Sequence, residues 1–251
     1  MFDPGGYHLM SRPPVIVVSG RSLADTWERA VLEVWSTGLE VPTEYGEKAK
    51  EATLLMTVEE PFTEPRVHRG DVVAAMGTRS YVEEVLEGTL DRYVQEGKLP
   101  YTYHERLYSY RTDGTVLDQI EQVRGKLRST PFTRRAQAIT WQPAKDLFID
   151  SPPCLQRVWF KIYDRSLVLE TEWRSRDLFR AAHMNMLALT ELQRRLSQEL
   201  ECRVGVYVDF SNSAHIYERS YPDVERFIAT LKKRRGDKGL LENGEVKAYT
   251  L

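Results

Sequence analysis

Short strand-like runs alternate with amphipathic helical segments along this chain, and that alternation constrains its fold more than any other feature. The apolar run from Val15 to Val18 is typical of a strand. Ser22 can then cap a helix, because apolar residues recur at helical spacing from Leu23 to Trp35. No clear linker separates these segments from those that follow. The sequence therefore predicts a single α/β (α+β) domain.

The later segments continue the same pattern. Strands are predicted at Leu54–Val58, Ala136–Trp141, Val158–Tyr163, Leu167–Thr171 and Val204–Phe210, with a hairpin at Asp164-Arg165. Helices are predicted around Tyr81–Leu86 and at Val116–Leu127, Met184–Leu200 and Val224–Leu231. Glycines and prolines near the start predict a flexible lead-in at 1–14, followed by the domain at 15–235 and a polar tail at 236–251.

Charge and composition exclude several classes of protein. The chain has 35 basic and 37 acidic residues and a net charge of −2, so it lacks the basicity of a general nucleic-acid binder. Its longest aliphatic run, Val15–Val18, is too short to cross a membrane, and no basic-then-apolar leader is evident. Cys154 and Cys202 form neither a CxxC pair nor a zinc spacing. We expect a cytoplasmic protein with no nucleic-acid partner, no membrane and no metal.

Cys154 follows two prolines, Pro152 and Pro153. Each proline fixes its own φ angle and restricts the residue before it, so the cysteine lies on a stiff backbone. Such a backbone suits a positioned nucleophile. A lone cysteine is also commonly a small buried apolar residue, and Cys202 is interpreted in that way.

Two groups of arginines could bind an anion. Arg134-Arg135 lies in a turn after Pro131, and Arg174-Ser175 follows a strand. Arginine binds phosphate through paired N–H groups, and a serine hydroxyl adds a donor. Three arginines near one thiol would also favour the thiolate. Taken singly, each arginine is more often a solvated charge or part of a surface ion pair.

Polar residues in two further places could contact a ligand. His215 and Tyr217 lie on one face of an extended segment, where two ring donors could hold a sugar hydroxyl. Asn185 lies between Met184 and Met186 and needs hydrogen-bond partners, which a nucleobase could provide. A half-buried histidine beside a core tyrosine, and an asparagine in a structural cap, are the alternatives.

These features resemble, in their order along the chain, the folate-dependent thymidylate synthase family. The likeness runs from Asp118-Gln119-Ile120 to Tyr217 and is faint before it. The matching stretches are Phe132-Thr133-Arg134-Arg135, Thr140-Trp141-Gln142-Pro143, Pro152-Pro153-Cys154, Arg174-Ser175-Arg176-Asp177, Met184-Asn185-Met186 and Ala214-His215-Ile216-Tyr217.

The resemblance implies a large mixed β-sheet flanked by helices, and a homodimer formed through a sheet face. It implies that Cys154 attacks carbon 6 of a pyrimidine nucleoside monophosphate and that Asn185 reads the base edge. Arg174 and Ser175 would hold the 5′-phosphate together with Arg134 and Arg135 of the other subunit. The ribose 3′ hydroxyl would be held by His215 and Tyr217.

A cofactor is also implied, either 5,10-methylenetetrahydrofolate or an archaeal pterin analogue, with Asp177 facing its pterin. Thiol addition at carbon 6 would let carbon 5 take a one-carbon unit, after which a base must remove the carbon 5 proton. Tyr101 is similar to the family's tyrosine in a Tyr-Gly-x-Gln-Trp-Arg segment. Glu84 is the candidate acid/base, with Glu83 and Glu87 as alternatives.

The chain also departs from the family pattern. Leu155 replaces the usual histidine after the nucleophile, Trp173 replaces a glutamine, and Asn212-Ser213 replaces Gly-Asp. The expected reaction is methylation of dUMP to dTMP by a divergent, archaeal-type thymidylate synthase. Hydroxymethylation of a cytidine nucleotide (dCMP or CMP), and a nucleotide-binding homologue without catalysis, stay open.

Overall fold

A computed structural model describes residues 14–70, 72–112, 114–235 and 246–249. Within these ranges the helices are α1 (Leu23–Thr37), α2 (Val72–Glu87), α3 (Asp91–Gln95), α4 (Tyr103–Tyr108), α5 (Gln119–Ser129), α6 (Pro143–Asp146), α7 (Ala182–Glu199) and α8 (Tyr221–Arg235). The strands are β1 (Val15–Gly20), β2 (Leu39–Pro42), β3 (Lys48–Val58), β4 (Tyr110–Thr112), β5 (Thr115–Leu117), β6 (Gln137–Ile139), β7 (Leu155–Tyr163), β8 (Ser166–Trp173), β9 (Arg176–Asp177), β10 (Arg203–Tyr217) and β11 (Val246–Tyr249).

A mixed sheet organises the molecule. Nine of the strands in the described residues belong to it, in the order β11-β1-β3-β10-β8-β7-β6, with β2 paired to β3 and β9 paired to β10. Strand β3 runs parallel to β1 and antiparallel to β10, whereas β8 is parallel to β10 and antiparallel to β7. Helices α1 and α7 pack on the sheet. The predicted fold class, a large mixed sheet flanked by helices, is confirmed.

Two local predictions are confirmed by backbone geometry. The Ser22 hydroxyl accepts a hydrogen bond from the Asp25 N–H at 3.2 Å and so caps α1. The hairpin of β7 and β8 turns at Asp164 and Arg165, whose φ angles are +42° and +56°. Two successive residues with positive φ match the twist of antiparallel strands and make the tight two-residue connection possible.

Other boundaries differ from the prediction. The helix predicted from Val116 begins at Gln119, because Asp118 caps it by accepting from the Glu121 N–H, and Thr115–Leu117 instead pairs with β4. Strands β3 and β10 are longer than predicted. Charged residues such as Lys48 and Glu51 interrupt the apolar pattern of β3, yet the two strands pair along most of their length.

The chain ends are described only in part. Apart from Pro14, the predicted lead-in at 1–14 lies outside the described residues. Within the segment predicted as a polar tail, Val246–Tyr249 pairs antiparallel with β1, so it adds a strand to the sheet edge. No helix in the described part of the chain is both long and apolar enough to cross a bilayer.

Candidate active site

A cleft of about 1220 Å³ opens where the ends of β7, β8 and β9 meet β10, the first turns of α7 and one turn of α2. Eight of the residues singled out in the sequence line it: Tyr101, Cys154, Arg174, Ser175, Asp177, Asn185, His215 and Tyr217. Three others, Glu84, Arg134 and Arg135, are not among its lining residues.

Strand pairing explains why distant residues meet here. Leu155 at the start of β7 pairs with Trp173 at the end of β8, so the following Arg174 lies beside Cys154. The Arg174 N–H donates to the Cys154 carbonyl at 2.9 Å. Likewise, Asp177 in β9 pairs with His215 in β10. The sheet therefore brings the Pro-Pro-Cys, Arg-Ser-x-Asp and His-x-Tyr motifs together at the same end of neighbouring strands.

The Arg174 guanidinium is held against the thiol by the two prolines. Its Nε and Nη2 donate to the carbonyls of Pro153 and Pro152 at 3.0 and 2.7 Å, and Nη2 lies 3.8 Å from Cys154 Sγ. Burial nevertheless raises the pKa of the Cys154 thiol above its ordinary value, although Arg174 and Arg176 act in the opposite direction. The expectation that nearby arginines favour the thiolate is therefore wrong, because desolvation of the thiolate raises the pKa more than the positive charges lower it.

A second, fully buried arginine lies behind the thiol, and sequence reasoning assigned it no role. Arg176 forms an ion pair with Asp209, donates to the Ala182 carbonyl at 2.9 Å, and lies 4.1 Å over the Trp173 ring. Asp209 is itself fully buried and also accepts from the Trp173 indole at 3.2 Å. Asp209 lies at an inward-facing position of a strand, where a buried carboxylate needs a positively charged or hydrogen-bonding partner. This position in the strand pattern is the sequence signal that could have identified the pair.

Besides Tyr45 and Tyr217, three tyrosines line the cleft: Tyr81, Tyr101 and Tyr103. Burial raises the pKa of Tyr101 to about 12, and it raises the pKa of Tyr81 and Tyr103 as well. All three are therefore neutral hydrogen-bonding groups near pH 7. The sequence pattern predicts only a helix around Tyr81–Leu86 and gives no signal for the polar end of Tyr81.

Asn185 lies in the first turns of α7, with only 7% of its surface exposed. Its Nδ2 donates to Tyr81 Oη at 2.5 Å. No other hydrogen bond from the Asn185 side chain occurs among the described residues, so the amide oxygen has no protein partner there. An amide with unused capacity in a cleft can pair with a ligand that offers both a donor and an acceptor.

His215 and Tyr217 lie on one face of β10, as their spacing predicts, with ring centroids 4.5 Å apart. Burial lowers the pKa of His215, so the ring is neutral, and its Nδ1 lies 3.2 Å from the Ser213 carbonyl. That contact leaves Nε2 to act towards the cleft. The Ser213 hydroxyl donates to Glu51 at 2.8 Å, which adds a cleft-lining carboxylate that the motifs did not reveal.

Asp177 lies next to this pair. Its carboxylate accepts from the Arg180 N–H at 2.9 Å, and burial raises its pKa, opposed by that hydrogen bond and by His215. The carboxyl group can therefore serve as a hydrogen-bonding partner at the edge of the cleft in either protonation state.

The α2 glutamates do not enter the cleft in this structure. Glu84 is half-buried, and burial and the nearby Asp91 both raise its pKa. Glu83 forms an ion pair with Arg79 at 3.0 Å, and Glu87 pairs with Arg195. Among the side chains of α2 that the structure describes, Tyr81 is the one that lines the cleft, beside Asn185.

Arg134 and Arg135 lie in the turn before β6 and are exposed. Neither guanidinium has a hydrogen-bond or ion-pair partner within the described ranges, although the Arg134 carbonyl accepts from the Trp159 indole at 3.1 Å. The two side chains thus lie on the surface of the protein and do not line the cleft.

Fold and cleft together define a class of α/β protein in which a cysteine, an arginine and a neutral histidine converge at one sheet edge. The family model described as thymidylate synthase matches residues 27–240, so the chain belongs to the thymidylate synthase family. A putative thymidylate synthase of Methanosarcina mazei is 29% identical over 213 residues, 84% of this chain and 94% of the relative. One of Methanococcoides burtonii is 30% identical over the same shares, and one of Methanopyrus kandleri is 29% identical over 83% and 96%.

Proposed function

We propose that this protein transfers a one-carbon unit to carbon 5 of a pyrimidine nucleoside monophosphate, with dUMP as substrate and dTMP as product. The observation that carries the proposal is the placement of Cys154 Sγ 3.8 Å from Arg174 Nη2, in a cleft that Asn185, His215 and Tyr217 also line. Chemistry on a nucleotide base requires a nucleophile, a group that binds the phosphate, a side chain that pairs with the base, and side chains that bind the sugar.

In this proposal the nucleotide is held at three points. Arg174 and Ser175 bind the 5′-phosphate, His215 and Tyr217 bind the ribose, and Asn185 pairs with the base edge. The Cys154 thiolate adds to carbon 6, and the electron pair of the carbon 5–carbon 6 double bond moves to carbon 5 and the neighbouring carbonyl. Carbon 5 then bonds to the incoming one-carbon unit. The carbon 5 proton then passes to a base; the neutral Tyr101 hydroxyl is the candidate relay in the cleft, which takes up this proton as it passes its own on to solvent.

The cleft also has the size and lining for a folate-type cofactor. Single small-molecule sites usually measure about 300–1,000 Å³, so a cleft of about 1220 Å³ can hold a nucleotide and part of a second molecule. Trp141 and Tyr101 offer aromatic surfaces for a flat pterin, and Asp177 offers a carboxyl group for its polar edge. Methylenetetrahydrofolate, or an archaeal pterin analogue, would supply when bound both the one-carbon unit and the hydride that reduces it to a methyl group. Cys154 would then leave carbon 6 as a thiolate, and the carbon 5–carbon 6 double bond would form again.

A homodimer fits two further observations. One face of the sheet carries apolar residues that are only half-buried, among them Val17, Leu55, Val208 and Phe210 of β1, β3 and β10. A second copy of the chain could cover this apolar face. Arg134 and Arg135 are exposed and could reach the phosphate in a partner's cleft. We expect a dimer in sizing chromatography with light scattering; a monodisperse monomer at micromolar concentration would contradict this part of the proposal.

A second candidate, a nucleotide-binding protein without catalysis, is favoured by the position of Glu84 outside the cleft. Mass spectrometry of products formed from dUMP, dCMP, UMP and CMP with methylenetetrahydrofolate tests both candidates. We expect dTMP from dUMP. A hydroxymethylated cytidine nucleotide would instead assign the alternative reaction. Binding of dUMP without release of tritium from carbon 5 would support the non-catalytic candidate.

A further inference from the structure

We propose that Tyr81 is a positioning residue that fixes the orientation of the Asn185 amide and thereby sets a preference for uracil over cytosine nucleotides. This inference rests on the proposed function, since it assumes that the cleft binds a pyrimidine nucleotide. It adds a residue that the family motifs did not identify.

The contact between the two side chains crosses two packed helices. Tyr81 lies on α2 and Asn185 lies on α7, and α2 packs directly against α7. Asn185 Nδ2 donates to Tyr81 Oη at 2.5 Å, and both residues line the cleft. Among the described residues this is the sole side-chain hydrogen bond of Asn185, so Tyr81 alone can hold the amide in place.

Orientation matters because an amide has two different ends. Uracil presents an acceptor, its carbon 4 carbonyl, beside a donor, its ring N–H. Cytosine presents the reverse order, an amino donor beside a ring-nitrogen acceptor. An amide that turns by half a rotation about its Cβ–Cγ bond can pair with either base, so a freely turning amide discriminates poorly between them.

The observed orientation favours uracil. One Nδ2 proton is donated to Tyr81 Oη, so the other Nδ2 proton is left to donate to the base. In the reversed amide, one Nδ2 proton would lose its partner, which is costly for a buried donor. The carbon 4 carbonyl of uracil can accept the second Nδ2 proton, whereas the amino group of cytosine would meet it with its own hydrogens, which is repulsive. The Oδ1 atom is then free to accept from the uracil ring N–H.

Tyr103 provides a matched control. It is a second partly buried tyrosine that lines the same cleft, but its hydroxyl accepts from the Leu155 N–H at 3.4 Å and, within the described ranges, forms no hydrogen bond with Asn185. Replacing either tyrosine by phenylalanine removes one oxygen atom from the same cleft and keeps the ring. Only the Tyr81 change frees the Asn185 amide.

The experiment compares the affinities for dUMP and dCMP by titration calorimetry. We expect Tyr81→Phe to lower the dUMP-to-dCMP affinity ratio by about threefold to tenfold, the effect of roughly one neutral hydrogen bond, and Tyr103→Phe to leave it unchanged. In an Asn185→Ala background, Tyr81→Phe should change the ratio no further, since a positioning residue acts only through the residue that it positions.

The outcomes separate this inference from the proposed function. A wild-type protein that binds neither nucleotide would overturn both. Binding of dUMP with an unchanged ratio in Tyr81→Phe, or an equal change in Tyr103→Phe, would overturn the role of Tyr81 alone. An undiminished effect of Tyr81→Phe in the Asn185→Ala background would also overturn it, because Tyr81 would then contact the base directly.

Discussion

Replacing Asp209 by asparagine tests the buried ion pair behind the nucleophile. The change keeps the size of the side chain but removes the charge opposite Arg176, which stays fully buried. It also introduces an amide N–H₂ among groups that donate to Asp209: the side chains of Arg176, Thr171, Trp173 and Tyr207. Removing one partner of a buried pair costs about 3–5 kcal/mol, because the other charge is left uncompensated.

That loss is large beside the roughly 5–15 kcal/mol by which most domains are stable. Urea unfolding followed by circular dichroism should therefore show a strong fall in the midpoint for Asp209→Asn. Asp164→Asn makes the same chemical change in the pair with Arg203, whose side chains are 99% and 69% exposed, and should leave the midpoint unchanged within error. A loss below about 1 kcal/mol for Asp209→Asn, typical of a surface pair, would refute the reasoning.

Two further changes test the site itself. Arg174→Ala should weaken dUMP binding more than about tenfold, because a charge-assisted paired contact with phosphate contributes roughly 1.5–3 kcal/mol; an unchanged dissociation constant in calorimetry would mean that the phosphate lies elsewhere. Asn185→Asp should shift preference from uracil towards cytosine nucleotides, since a carboxylate accepts from the cytosine amino group; an unchanged ratio would make Asn185 structural.

Short motifs predicted the parts of the site that depend on residue type and order. Cys154, Arg174, Asn185 and His215 were each chosen for chemistry that the side chain can do, and the sheet brings all four to one cleft. The strand core was also predictable, because apolar runs such as Val15–Val18 and Leu54–Val58 form strands of the sheet.

Contacts between distant segments were not predictable in the same way. Tyr81 shares helical spacing with apolar residues, so nothing local distinguishes it from a core tyrosine; its role depends on α7, more than a hundred residues away. The Arg176–Asp209 pair joins two strands that only the sheet topology makes neighbours. Glu84 is one of three closely spaced glutamates in α2. Neighbouring residues of a helix point about 100° apart, so the sequence alone does not determine which glutamate faces the cleft.

The protonation state of Cys154 provides a final prediction, on the nucleophile itself. Burial raises the pKa of the thiol while Arg174 and Arg176 lower it, so the resting protein holds mainly a neutral thiol near pH 7. Alkylation of Cys154 by iodoacetamide should therefore keep rising with pH beyond the ordinary thiol pKa of about 8.5. Arg174→Gln removes one opposing charge and should move the midpoint to still higher pH.

Cys202 is an internal control for that measurement. Burial also raises its pKa, but a backbone hydrogen bond, and no arginine, acts in the opposite direction. Peptide mass spectrometry can follow both cysteines in one sample, and Arg174→Gln should leave the Cys202 profile in place. A Cys154 midpoint below that of a free thiol would show that desolvation is not the dominant influence. A midpoint that Arg174→Gln does not move would show that Arg174 does not oppose desolvation. With the expected result, the thiol must lose its proton as it adds to carbon 6, so nucleotide binding and deprotonation of Cys154 are coupled steps.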